Sequence, residues 1–112
     1  MEIYFASNKL KKACSEFTAG NREWGIQNAQ RIRQRLQELR AAENLADMGS
    51  LPPAGCHELG GKRAGQFAVD CKQPYRLIFR PDDPISRRVD GGIDLKTVTT
   101  IVILGVVDYH GE

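Results

Sequence analysis

The sequence has few residues of the kinds that build metal or disulfide centres: three cysteines, Cys14, Cys56 and Cys71, and two histidines, His57 and His110, in 112 residues. No Cys-x-x-Cys pair and no regular Cys–His spacing joins them, so a disulfide framework, a metal-ligand cluster and a cofactor are all unexpected. Free thiols in a reducing compartment are the expectation. A nucleophilic Cys71 is a further reading, resting on Lys72 beside it, a neighbour that alone is weak evidence for a lowered pKa. Long hydrophobic runs are also missing, since no segment approaches the about 18 apolar residues of a membrane span. The opening Met1–Ala6 has too short an apolar run, and no basic region, for a signal peptide. A cytoplasmic chain with no membrane association follows as the expectation. With no repeat and no linker, residues 1–112 read as one domain with a single core.

The charge excess is small but unevenly placed. Residues 1–44 hold eight Lys or Arg against five Asp or Glu, residues 57–80 hold five against two, and residues 81–112 hold three against six. A basic surface from the first two segments could attract a polyanion, although a sequence pI near 8.5 is too mild to require it. Solvated helix faces would explain the same charges.

Hydrophobic periodicity points to an α+β fold. Ile3–Phe5 reads as a short strand. Ser7 or Asn8 stands as the N-cap of a helix running to about Thr18, ended by Ala19-Gly20-Asn21. A second helix, about Arg22–Ala46 with Gly25 as its weak point, carries Ala29, Ile32, Leu36 and Leu39 on one stripe. Arg31 and Arg35 flank that stripe on one side, and Arg33 and Arg40 on the other. These arginines either shield the core with their stems or face an anion. The two helices should form an antiparallel hairpin. After a loop at Met48–Gly55, strands are expected at His57–Leu59, Gln66–Cys71 and Tyr75–Arg80, the last with Tyr75, Leu77 and Phe79 on one face and Arg76, Ile78 and Arg80 on the other. Asp82–Lys96 is an exposed hairpin tip or a long loop. Thr97–Val107, apolar on both faces, should be a central strand covered by helices on at least one side.

Two arrays could carry chemistry. One is His57 with Lys62 and Arg63 across a glycine-rich turn, next to Arg76. The other is Asp108-Tyr109-His110, which could equally be a frayed end. If the last strand lies beside the one carrying Arg76, one rim of the sheet would gather both. Imidazoles, a phenol and permanent cations suit RNA phosphodiester cleavage, in which a ribose 2′-OH loses a proton, the leaving 5′ oxygen gains one, and phosphoryl charge is stabilised. DNA, lacking the 2′-OH, would be inert by this route. For Arg76, a cross-strand salt bridge to Asp70 is an equally good explanation.

The run His57-Glu58-Leu59-x-Gly61-x-Arg63-x-Gly65-Gln66-Phe67, then Tyr75-Arg76-Leu77-Ile78-Phe79, then Val107-Asp108-Tyr109-His110, resembles the HigB-like branch of the RelE/ParE toxin superfamily, the plasmid maintenance killer proteins. The likeness spans roughly Ala29 to His110. It implies a RelE-like fold, with a helical hairpin packed on a small, mainly antiparallel sheet. It also implies a type II toxin that cuts messenger RNA on the ribosome, and a cognate helix-turn-helix, HigA-like antitoxin, through which alone the toxin would reach operator DNA. By the resemblance, His57 and His110 match the acid/base histidines, Asp108 and Tyr109 the C-terminal catalytic pair, and Arg63 and Arg76 the motif cations. Lys62, Arg31 and Arg35 join them as candidate phosphate contacts. Relatives commonly have Lys followed by Gly and Asp in the turn, where this chain has Gly60-Gly61-Lys62. Lys62 would then carry the charge two positions on, or cleavage would be weakened. The superfamily leaves two other readings open: a ParE-like protein that poisons DNA gyrase by binding it, and a weakened toxin acting as a co-repressor with its antitoxin.

Overall fold

A computed structural model of the chain describes residues 1–82 and 84–108. Strand β1 (Glu2–Phe5) is followed by helices α1 (Asn8–Ser15), α2 (Phe17–Trp24) and α3 (Ile26–Ala41). Two 3-10 segments, Leu45–Ser50 and Pro52–Ala54, lead to β2 (His57–Glu58), β3 (Phe67–Asp70), β4 (Tyr75–Pro81) and β5 (Thr100–Asp108). The strands form one sheet in the order β1-β5-β4-β3-β2, with β1 parallel to β5 and the other neighbours antiparallel. The α+β class and the mainly antiparallel sheet are therefore as expected. No helix among the described residues is long and apolar enough to cross a membrane.

The helical layer departs from the expected hairpin, because three helices form instead of two. Ser7 caps α1 as anticipated, its hydroxyl accepting from the Leu10 amide at 3.1 Å. Glu16 then adopts extended backbone, so α1 stops at Ser15 and residues 19–21 lie inside α2. Gly20 belongs there for a packing reason: a Cβ on it would lie 2.5 Å from the Ala13 carbonyl oxygen. The α1 and α2 backbones approach too closely for any side chain at that point. Gly25 has φ +78 and separates α2 from α3, a conformation that favours glycine. Helix α3 ends at Ala41 rather than Ala46, and a 3-10 segment buries Leu45 and Met48 instead.

Ala29, Ile32, Leu36 and Leu39 are the buried stripe of α3, as their spacing indicates. Ile32, Leu36 and Leu39 share a core with Phe67, Val69, Leu77, Phe79, Ile101 and Ile103 of β3, β4 and β5. The Phe67 and Phe79 rings stack with centroids 5.8 Å apart, an arrangement worth about 1 kcal/mol beyond area burial. Central β5 lies between β1 and β4, which accounts for its apolar character. Between β4 and β5, Arg87 pairs with Ile93 in an isolated bridge, so this segment is a hairpin rather than a structureless loop. Buried Ile93 anchors it to the core.

Candidate functional site

Strand register decides which candidate residues meet. Strand β5 lies beside β4 with Tyr75 opposite Asp108 and Arg76 opposite Val107. The start of β4 and the end of β5 thus form one rim. On the other side of β4, Arg76 is opposite Asp70 of β3, and its Nε lies 3.2 Å from the Asp70 carboxylate. This is the cross-strand pair that the alternation of the sequence allowed. Both side chains are about one-third exposed, so a pair of this kind contributes about 0–1 kcal/mol.

His57 sits on β2, the edge strand, opposite Ala68, which in turn is opposite Ile78. Cross-strand partners share a face, and Arg76 is two residues from Ile78, so His57 and Arg76 lie on one face of the sheet. Two strand spacings and two residues separate them, about 12 Å. The His57 ring is exposed, and its Nδ1 is 2.9 Å from the Gly55 carbonyl oxygen. A carbonyl only accepts, so Nδ1 carries the proton and donates it to this bond. In the neutral ring Nε2 is then the lone pair turned to solvent.

Lys62 is exposed in the 3-10 turn Gly61–Arg63. Arg63 is half-buried and donates from Nη1 to the Gln66 side-chain oxygen at 3.3 Å. Asp108 is exposed at the end of β5. Its parity is that of Tyr75 and Leu77, the helix-covered face, whereas Arg76 and His57 have the opposite parity. Arg76 and Asp108 therefore share a rim while their side chains leave it on different sides. Between His57 and Asp108 the register leaves three strands and three residues, about 17 Å. Tyr109 and His110 lie outside the described residues.

The two helical candidates separate. Arg31 is exposed on α3. Arg35, one turn further on, is only 2% exposed, and this corrects its assignment as a phosphate contact. Its Nε donates to the Asp70 carbonyl oxygen at 2.7 Å, Nη1 to the Glu38 carboxylate at 2.9 Å, and Nη2 to the Pro53 carbonyl oxygen at 2.8 Å. The guanidinium is an internal tie between α3, the end of β3 and the loop before β2. The nucleophile reading of Cys71 is corrected as well. Burial pushes its thiol up to about 12, against the lowering influence of Arg35. Cys14 and Cys56 are each raised to about 11 by the same cause. Thiolates are scarce in all three at neutral pH.

Sequence reading gave Lys72 only the part of a neighbour to Cys71 and Tyr75 only a place in a strand motif, and assigned neither a substrate contact. The Lys72 backbone amide donates to Asn28 Oδ1 at 3.2 Å, and its ammonium donates to the Gln27 side-chain oxygen. Tyr75 is 38% exposed opposite Asp108. Their position at the two ends of a short turn between strands was the signal that could have joined them.

No family model and no curated protein sequence matches the chain. Among solved structures, a YoeB/ParE toxin from Agrobacterium tumefaciens is similar over 98% of this chain and 100% of that one, at 12% identity and a TM-score of 0.46.

Proposed function

We infer that the chain is the toxin of a type II toxin–antitoxin pair, HigB-like within the RelE/ParE superfamily, and that it cleaves messenger RNA on the ribosome. The observation that carries the reading is the register Arg76–Val107 and Tyr75–Asp108. It joins two motifs about thirty residues apart in sequence at one rim, and His57 of the third motif lies on the face of the sheet that carries Arg76, with Asp108 on the other.

In this reading Nε2 of His57 takes the proton of a ribose 2′-OH. The 2′ oxygen bonds to the adjacent phosphorus, the bond to the 5′ oxygen breaks, and His110 protonates that leaving oxygen. A 2′,3′-cyclic phosphate and a free 5′-hydroxyl result. Arg76, with Lys62 and Arg63, offsets charge on the phosphoryl oxygens. Asp108 orients a neighbouring group, and Tyr109 positions the substrate by stacking or hydrogen bonding. The ribosome and its messenger are the substrate assembly, and a HigA-like antitoxin is the partner.

The test is messenger cleavage on programmed ribosomes. The intact chain should yield cyclic-phosphate ends, and His57→Ala and His110→Ala should each lower the rate by about 10²–10⁴-fold. If truncation after Val107 leaves cleavage whole, the site assignment is wrong. A second reading, a non-cleaving ParE-like gyrase poison, is favoured by the Asp70 carboxylate already set against Arg76. No cleavage, together with gyrase-dependent DNA breaks, would establish it in place of the first.

A further inference from the structure

Along the outer side of α3, a cleft of about 340 Å³ is lined by Gln27, Gln30, Arg31, Gln34 and Lys72. We propose that this cleft is a docking groove for a single-stranded RNA backbone, leading it toward the Tyr75–Asp108 rim.

Three observations support the groove. Its lining has two cations, three primary amides and no carboxylate, so a polyanion is favoured and nothing in the lining repels it. The amides and Arg31 follow one another at helical spacing from Gln27 to Gln34, about 10 Å along the axis. That length matches about three nucleotides of stacked strand. Each amide both donates and accepts, which suits ribose hydroxyls and base edges as well as phosphate oxygens.

The second observation is how the groove is held. Lys72 is fixed to α3 twice, through its amide to Asn28 Oδ1 and through its ammonium to Gln27. Asn28 is buried, and its Nδ2 has no hydrogen-bond partner among the described residues.

The third is continuity. The Tyr75 amide donates to the Lys72 carbonyl oxygen at 2.8 Å, and Cys71 donates to the Tyr75 carbonyl oxygen at 3.1 Å. The turn thus delivers the groove's last cation directly to an exposed phenol ring at the rim, a surface on which a base can stack. An acidic polypeptide would also satisfy the two cations and the amides; a row about three nucleotides long that ends at an exposed ring on which a base can stack favours the nucleic-acid strand.

The proposal rests on the ribonuclease reading for its choice of strand, and the experiment separates the two. A labelled 2′-O-methyl RNA octamer, which cannot be cleaved by 2′-OH attack, is titrated by fluorescence anisotropy at several salt concentrations against the full chain. Arg31→Gln/Lys72→Gln should weaken binding about tenfold and reduce the salt slope by about 1.4, two contacts at about 0.7 each. Lys96→Gln, an exposed lysine outside the groove, should change neither. Unchanged affinity and slope in the double variant overturn the groove. A glutamate-rich peptide that binds more tightly than the RNA, and is lost in the same variant, also overturns it, by showing a different occupant. Both chains are then compared on programmed ribosomes. An intact chain that binds the octamer through the groove but cuts no messenger leaves the groove standing and removes the ribonuclease reading. Equal cleavage and equal binding by the two chains do the reverse.

Discussion

Replacing Arg35 by alanine should unfold this protein far more readily than any change to an exposed arginine. The side chain is 2% exposed and makes bonds in three directions, to the Asp70 carbonyl, the Glu38 carboxylate and the Pro53 carbonyl. A hydrogen bond to a charged group contributes about 1.5–3 kcal/mol, but the three do not simply add, because the guanidinium has also been taken out of water. The better measure is what alanine leaves behind: two carbonyls without their donor, a carboxylate without its cation, and the volume of the lost stem. Breaking a buried pair in this way costs about 3–5 kcal/mol. At about 4 °C per kcal/mol for a domain near 100 residues, Tm should fall by about 12–20 °C.

Glu38→Ala is the internal control. Glu38 is 23% exposed, and Arg35 keeps both carbonyl partners without it, so although the buried guanidinium loses its counter-charge, the loss should stay at about 1–3 kcal/mol, below that of Arg35→Ala. Arg35→Lys should behave like alanine more than like arginine, since one ammonium cannot reach three partners set by a planar fork. Urea unfolding followed by far-UV circular dichroism and Trp24 fluorescence measures all three. An Arg35→Ala chain within about 1 kcal/mol of the native one refutes the reasoning. So does a Glu38→Ala loss equal to that of Arg35→Ala, which would put the energy in the ion pair and not in the tie to the two loops.

The remaining expectations are smaller. Burial raises the thiols of Cys14 and Cys56 to about 11 and that of Cys71 to about 12, from 9.0. The unfolded chain therefore loses thiol protons first, so stability is full below about pH 9 and declines from there toward pH 12; a urea midpoint that stays constant from pH 8 to 10.5, with Cys71→Ala as reference, would contradict this. Gly20→Ala should destabilise by about 1–3 kcal/mol despite alanine's higher helix propensity, because its Cβ meets the Ala13 carbonyl oxygen at 2.5 Å; a thermal melt at or above the native Tm would show that α1 and α2 yield at no cost. Asp70→Asn removes the carboxylate set against Arg76, and under the ribonuclease reading KM for messenger cleavage should fall about two- to fivefold, the equivalent of a partly exposed pair; a rise in KM would mean that Asp70 holds Arg76 in its working position.

Strands were the legible part of this sequence, and helix boundaries were not. Tyr75–Arg80 is rich in aromatic and β-branched residues, with Tyr75, Leu77 and Phe79 on one face, and β4 spans Tyr75–Pro81. The helical region carries no such unambiguous signal. Gly20 and Gly25 both look like breaks, yet one sits inside α2 because two backbones meet there, and the other ends the helix through its positive φ. Glycine marks a place where something close or something unusual happens. Whether the cause is local backbone or a distant carbonyl is a tertiary fact.

The two arginines on one side of the α3 stripe show the same limit at the candidate site. Arg31 and Arg35 are four residues apart and nearly superimposed on a helical wheel, so sequence reading assigned both the same role. A wheel reports angle but not position along the axis. Near Arg31 the flanking residues are Gln27, Gln30 and Gln34, and the surface stays open as a cleft. One turn later the Pro52–Ala54 segment and the end of β3 close over the helix, and Arg35 meets the carbonyls of Pro53 and Asp70. The divide follows from the register, because the strand that ends at Asp70 also turns through Lys72 to reach Arg76. A cation inside the fold and a cation in the groove are thus set by one stretch of chain, and it is the end of β3, more than the arginines themselves, that determines which is which.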